Sequence, residues 1–239
     1  MTRIPRPAAQ AGWRVLSWAR GHAYRGTEHR LVSWLPGRVR RHYRILAPRA
    51  GDRRVEIGSG YSPRPGYIHV DAVAWNGAID LVAPADALPL PPAWADEILA
   101  VHMIEHLAPA SLAGTLRHWF DLLVPGGVLT VHTPDGAALG RSLADSSGHV
   151  TAGYWPAISA LFGYNRHPAD VPGPSALTEH PDHRMVFTEA VLSGLLSDAG
   201  FIDVINISGQ DPQCHHTIDW APFVPGLCLE VRAHKPAAA

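Results

Sequence analysis

The residues best suited to chemistry fall in four short stretches. Arg54-Val55-Glu56-Ile57 reads as a brief apolar strand that runs straight into Gly58-Ser59-Gly60. Two glycines just past a strand permit a tight turn whose backbone nitrogens approach a ligand closely. On that reading a β-branched side chain at Gly58 blocks the ligand while the chain stays folded. Ile68-His69-Val70-Asp71 reads as a second strand ending on an acid, eleven residues after Gly60. In a nucleotide-binding sheet an acid there accepts hydrogen bonds from ribose hydroxyls, although a simple strand-end turn also favours aspartate. In His102-Met103-Ile104-Glu105-His106, two histidines flank a carboxylate. Histidine titrates near neutrality and suits proton transfer, but the same residues can merely cap a strand and bond neighbouring loops. The fourth stretch, Thr178-Glu179-His180-Pro181-Asp182-His183, has spacing compatible with a divalent metal. A lid loop whose histidines meet a substrate or solvent is the preferred reading, and no metal is expected.

These residues need elements to position them. After two helical stretches over 9–20 and 27–46, Pro48 and Gly51 mark a boundary. Short apolar runs predict strands at 54–57, 68–71, 79–82 and 95–103. Leu112, Leu116, Trp119, Phe120 and Leu123 give helical periodicity over 109–123. Pro125-Gly126-Gly127 ends that helix and opens a strand over 128–131. From 136 to 184 no period is visible. Such a stretch is either a functional lid or a partly helical insertion; its Tyr154, Trp155 and Tyr164 either line a substrate pocket or form a small core of their own. Thr188 is expected to cap a helix through Leu196, followed by strands over 201–207 and 227–233. Strands alternating with helices imply a mostly parallel sheet of seven strands, and the last two, joined without a helix, imply a terminal antiparallel hairpin.

Composition narrows the class. The chain has 239 residues, 46% hydrophobic and 17% charged, which is globular rather than disordered. Cys214 and Cys228 form no CxxC pair, against a disulfide framework or zinc ribbon. No signal peptide and no run of 18 apolar residues is visible, so the expected location is the cytoplasm. Residues 1–54 hold 13 arginines against Glu28 and Asp52, a net +11; the remainder holds seven bases against 19 acids, a net −12. With Trp13, Leu16, Leu31, Trp34 and Leu35 at near-helical spacing, residues 1–50 are expected to form a basic helical cap on a domain over 51–239. A basic arm for nucleic acid or another anionic partner is the alternative.

Taken in order, these segments resemble the class I S-adenosylmethionine-dependent methyltransferases. Val55 to Gly60 resembles their nucleotide-binding turn, Tyr67 to Asp71 the ribose-binding strand end, and Ala85-Asp86-Ala87-Leu88-Pro89-Leu90 the adenine contact. Ala95 to Leu107 is similar to their fourth strand and its active-site edge, and Leu123 to Gly127 to the turn before strand five. The resemblance implies a Rossmann-like fold, S-adenosylmethionine as cofactor, and a cofactor site made of Glu56, Gly58, Ser59, Gly60, Asp71, Asp86, Ala87 and His102. It places His102 and His106 at the edge facing the transferred methyl, as candidate bases. The insertion would supply substrate contacts through Tyr154, Trp155, Tyr164, His180 and His183. The acceptor implied is a small molecule, a saccharide or secondary metabolite, methylated on oxygen in preference to nitrogen. A nucleic-acid or lipid-linked acceptor and a non-catalytic binding protein are the alternatives. Ser62 and Pro63 depart from the family's third glycine, leaving the loop path after Tyr61 open, and the absence of GxGxxG disfavours a dehydrogenase.

Overall fold

The computed structural model describes residues 53–60, 63–72, 79–145, 154–163, 183–210 and 226–238. Its centre is a seven-stranded sheet in the order β3-β2-β1-β4-β5-β7-β6. The strands are β1 (Arg54–Ile57), β2 (Ile68–Asp71), β3 (Leu81–Val82), β4 (Ala95–Val101), β5 (Leu123–Pro134), β6 (Ile202–Asn206) and β7 (Cys228–His234). The first five pair in parallel, and β7 runs antiparallel to both β5 and β6. The expected mostly parallel sheet with a terminal antiparallel pair is thus observed. Burial of both faces explains the continuous apolar runs. Ile98, Leu99 and Ala100 succeed one another in β4, all buried, as do Leu129, Thr130 and Val131 in β5.

The chain builds outward from β1 through β2 to β3, then returns to place β4 on the other side of β1. Ligands in open α/β sheets bind at such a reversal, in the crevice beyond the carboxyl ends of the strands. A bidentate pair from Arg53 to Asp96, at 2.7 and 3.0 Å, fixes the opposite end of β1 against β4.

Helix α1 (Pro109–Leu122) starts with proline in its first turn, where the missing amide costs no hydrogen bond. Its apolar stripe, Leu112, Leu116, Trp119 and Leu122, is buried. The same helix clasps the turn over residues 85–88. Trp119 Nε1 donates to the Ala85 carbonyl at 2.9 Å, and His118 Nε2 accepts from the Leu88 amide at 3.0 Å. Lys235 Nζ donates to the carbonyls of Phe120 and Leu123 at the helix end, which lack intrahelical partners.

Two differences from the sequence reading concern β5 and the segment after it. The strand begins at Leu123 rather than Val128, because Leu123 pairs with Ala95 and the ladder resumes at Glu97 with Val128 after a register shift. Pro125-Gly126-Gly127 is therefore a bulge within the strand. Beyond it the aperiodic stretch contains α2 (Gly136–Ala144) and α3 (Tyr154–Phe162), so the partly helical alternative applies among the described residues. Asp135 caps α2, its carboxylate accepting from the amides of Ala137 and Ala138. As expected, Thr188 caps the next helix, α4 (Glu189–Asp198). No helix among the described residues is long and apolar enough to cross a membrane. The expected cap over residues 1–50 lies outside the described residues.

Candidate functional site

Two groups of side chains gather at the carboxyl ends of the parallel strands. The first is built on the turn after β1. Gly58 and Gly60 have φ of +75° and +56°, a region that side-chain-bearing residues avoid. The amides of Gly58 and Ser59 both donate to the Val70 carbonyl, at 2.8 and 3.2 Å, so the turn folds back onto β2. The Gly60 amide donates to Asp71 Oδ2 at 3.0 Å. The structure thus brings the glycine turn and the strand-end acid together. Ser59 is buried, with its hydroxyl donating to the Glu56 carbonyl at 3.0 Å.

Gly58 corrects one expectation. A Cβ there would strike the Cβ and Cγ of Met103, a buried residue, so a valine at 58 disturbs packing and is no clean probe of ligand binding. Around Gly60 the space is open; the nearest atom to an added Cβ is the Gly58 carbonyl oxygen at 3.9 Å.

Beneath this turn lies the carboxylate of Glu56, only 3% exposed. Its Oε2 accepts from the Arg64 amide at 2.8 Å and lies 3.8 Å from His69 Nε2. Burial pushes its pKa above the usual carboxylate range, opposed by the Arg64 amide and the nearby His69 and Arg64 side chains. His69 is fixed in turn by Asp80, 3.2 Å from its Nδ1. Asp86 and Ala87 are exposed on the turn that α1 holds.

The second group sits beyond β4. His102 has φ of +47°, rare for a residue with a side chain, and its amide is tied to the His132 carbonyl at 2.9 Å. Its side chain is 8% exposed; Nδ1 donates to Glu105 Oε1 at 3.3 Å, and Nε2 lies 3.7 Å from Cys228 Sγ. Ile104–His106 forms a single 3₁₀ turn. There Glu105 is fully buried, with Oε2 accepting from the Thr133 hydroxyl at 3.1 Å. Although burial alone would raise its pKa, the bond and charge of His102 and the proximity of His183 hold it below the usual range.

His183 reaches this turn from 77 residues further along the chain. The amides of Arg184 and Met185 donate to the Glu105 carbonyl at 2.8 and 3.2 Å. His183 Nδ1 donates to the Ala160 carbonyl in α3 at 2.8 Å, and its ring meets that of His106 edge-on, centroids 4.7 Å apart. Burial lowers its pKa below the ordinary histidine value. His102 and His106, read from the sequence as candidate bases, and His183, read as a substrate contact, therefore share one neighbourhood. Glu105, Thr133 and Cys228 also belong to it, although the sequence reading assigns none of them a role in the site. The Glu-His pair hinted at Glu105, whereas nothing local in the sequence marks the other two. Tyr154 and Trp155 belong to α3, but their side chains lie outside the described residues, as do Tyr164 and His180 altogether.

No family model matches the chain, and no curated protein matches it. Among solved structures, an S-adenosylmethionine-dependent methyltransferase from Archaeoglobus fulgidus superposes with a TM-score of 0.50 at 18% identity, over 92% of this chain and 99% of that one. The fold is that of the class I S-adenosylmethionine-dependent methyltransferases. A methyltransferase from Thermotoga maritima is similar at 19% identity and a TM-score of 0.49, over 83% of this chain and 89% of that one. The Burkholderia thailandensis 1,6-didemethyltoxoflavin-N1-methyltransferase, with 1,6-didemethyltoxoflavin and S-adenosylhomocysteine bound, gives 18% identity and a TM-score of 0.44, over 99% of this chain and 93% of that one. At these identities the likeness concerns the methyltransferase fold; the chemistry of this chain must be argued from its own residues.

Proposed function

We propose that the protein is an enzyme that transfers a methyl group from S-adenosylmethionine to a hydroxyl of a small molecule, a saccharide or secondary metabolite in class. The observation that carries this reading is the bond from the Gly60 amide to Asp71 at the topological reversal of the sheet. It joins a positive-φ glycine turn, open above Gly60, to a carboxylate at the next strand end. A nucleoside with a neighbouring cationic chain fits these residues. Asp71 takes the ribose hydroxyls, the turn admits the amino-acid portion, and Glu56 meets its ammonium directly or through water. Asp86 and Ala87 take the adenine edge.

When bound, S-adenosylmethionine supplies a methyl already activated on a sulfonium. The protein's own work is to orient the acceptor in line with it, exclude water and receive a proton. The histidines beyond β4 stand at the same sheet edge as the nucleotide turn, and His102, oriented by Glu105, takes the hydroxyl proton. General-base assistance contributes about 10²–10⁴-fold, so His102→Ala should lose turnover on that scale at saturating cofactor.

Calorimetry with S-adenosylmethionine and S-adenosylhomocysteine tests the reading. Wild type should bind both, and Asp71→Ala should weaken them by on the order of 1.5–3 kcal/mol, the worth of charge-assisted hydrogen bonds. Absence of heat with both ligands, in a folded wild type, would sink it.

A further inference from the structure

We propose that Glu105, His106 and His183 form a binding site for a first-row divalent cation such as zinc, manganese or cobalt. This goes beyond the expectation that no metal is involved. For its chemical use the site rests on the methyl-transfer reading, but its existence does not.

The case begins with one carboxylate and two imidazoles whose potential donor atoms lie within 4.8 Å of one another. His183 Nδ1 donates to the Ala160 carbonyl, which can only accept, so this nitrogen carries a proton. In the neutral ring Nε2 then carries a lone pair, and it lies 3.9 Å from Glu105 Oε1. Two acceptor atoms this close in a buried setting are mutually repulsive unless something positive lies between them. The separation is too long for a hydrogen bond. It is close to the spacing of two ligands on one ion: bonds of about 2.0–2.2 Å place tetrahedral donors about 3.4 Å apart. A contraction of about half an ångström would suffice for this pair.

The surroundings have the character of an outer shell. Metal-bound histidines usually donate their second nitrogen to a carbonyl, as His183 does to Ala160. The carboxylate is fixed from behind by His102 Nδ1 and the Thr133 hydroxyl. The edge-on arrangement of the two histidine rings lets both turn a nitrogen toward one point. Two imidazoles and one carboxylate suit zinc, cobalt, iron(II) or manganese better than magnesium or calcium, which favour all-oxygen sets. Three protein ligands leave positions for further oxygen donors, and His106 is exposed, so an acceptor hydroxyl can reach the ion. His102 then stays available as the proton acceptor, with His106 and His183 serving the cation.

The test uses the full chain, stripped with a chelator and titrated separately with zinc and cobalt(II) by calorimetry. Elemental analysis after desalting counts the bound ions. One equivalent per chain is expected, with cobalt showing the visible absorption of a low-coordinate nitrogen–oxygen site. His106→Ala and His183→Ala should each weaken affinity by at least tenfold to a hundredfold. His234→Ala, at the opposite ends of the parallel strands, should leave it unchanged. Because His106 is exposed, its variant is expected to fold, which circular dichroism checks; loss of folding in His183→Ala alone would leave the His106→Ala comparison decisive. Absence of stoichiometric binding, or binding that survives both substitutions, would overturn the site. Heats of S-adenosylmethionine binding to the stripped chain are read separately, so failure of the cofactor reading and failure of the metal site are distinguishable.

Discussion

On the proposed reading, Glu56 serves binding at a cost to stability. Its folded pKa is raised by burial above the roughly 4.3 of an unfolded chain. A raised carboxyl pKa contributes stability that is present below the unfolded value and lost as pH rises through the folded one. At higher pH the fold carries a buried charge, which the Arg64 amide and the nearby His69 and Arg64 side chains offset only in part. Glu56→Gln, nearly the same shape, should therefore gain in melting temperature relative to wild type as pH rises above the unfolded carboxyl value of about 4.3, while S-adenosylmethionine binds more weakly. A melting difference independent of pH would refute the charge argument. Gly60→Ala belongs with it: the space around the Cβ is open, and the positive φ alone costs about 1–2 kcal/mol. At this scale the sequence was legible where spacing alone carried the meaning, as at Gly58, Gly60 and Asp71, which do converge. It was illegible where a contact depends on distant chain. Glu105 draws its partners from Thr133 and His183, and Gly58 is hemmed in by Met103.

Among the elements, the strands were read more faithfully than α2 and α3, the two helices that follow β5 directly. Apolar runs buried on both faces announce β1, β4 and β5 without any need for tertiary knowledge. Helix α2 begins Gly-Ala-Ala-Leu-Gly, which offers few large apolar residues to reveal a period; only Ala138 and Leu139 are buried. The Asp135 carboxylate on two amides starts it, a signal that was present in the sequence but masked by the neighbouring proline and glycine. Asp135→Ala should lower stability by about 0.5–2 kcal/mol, with the loss visible as faster hydrogen exchange in α2. Unchanged exchange there would mean that packing against α3, and not the cap, holds the helix. The bulge over 124–127 has a similar lesson. Its Pro-Gly-Gly was readable as a turn, but the pairing of Leu123 with Ala95 before it was not, because register belongs to two strands at once.

For the whole molecule, the most distinctive sequence feature is the division of charge between residues 1–54 and the rest. A helical cap and a basic arm make opposite forecasts for a chain lacking residues 1–46. Under the cap reading Trp13, Trp34 and their neighbours cover apolar surface, so truncation should reduce solubility and leave polyanion affinity absent in both forms. The arm reading requires a stable truncated protein that has lost an affinity for nucleic acid or anionic vesicles, an affinity that in the full chain falls steeply with salt. Sedimentation and salt-dependent binding assays decide between them.

The place of β7 governs the order in which the molecule can assemble. It is inserted between β5 and β6, with Val128 opposite His234, so the seam that joins the parallel strands to the terminal pair unites residues about a hundred positions apart. During synthesis the nucleotide-side strands β1 to β5 can emerge and pair while the flank of β5 still lacks its neighbour. Closing so long a loop is slow, and an open strand edge is prone to mispairing meanwhile. Lys235, the next residue, then latches onto the end of α1. The last of the described strands to be made thus fills the gap between β5 and β6, and nascent chains halted before residue 234 should remain protease-sensitive from β5 onward until that strand is released.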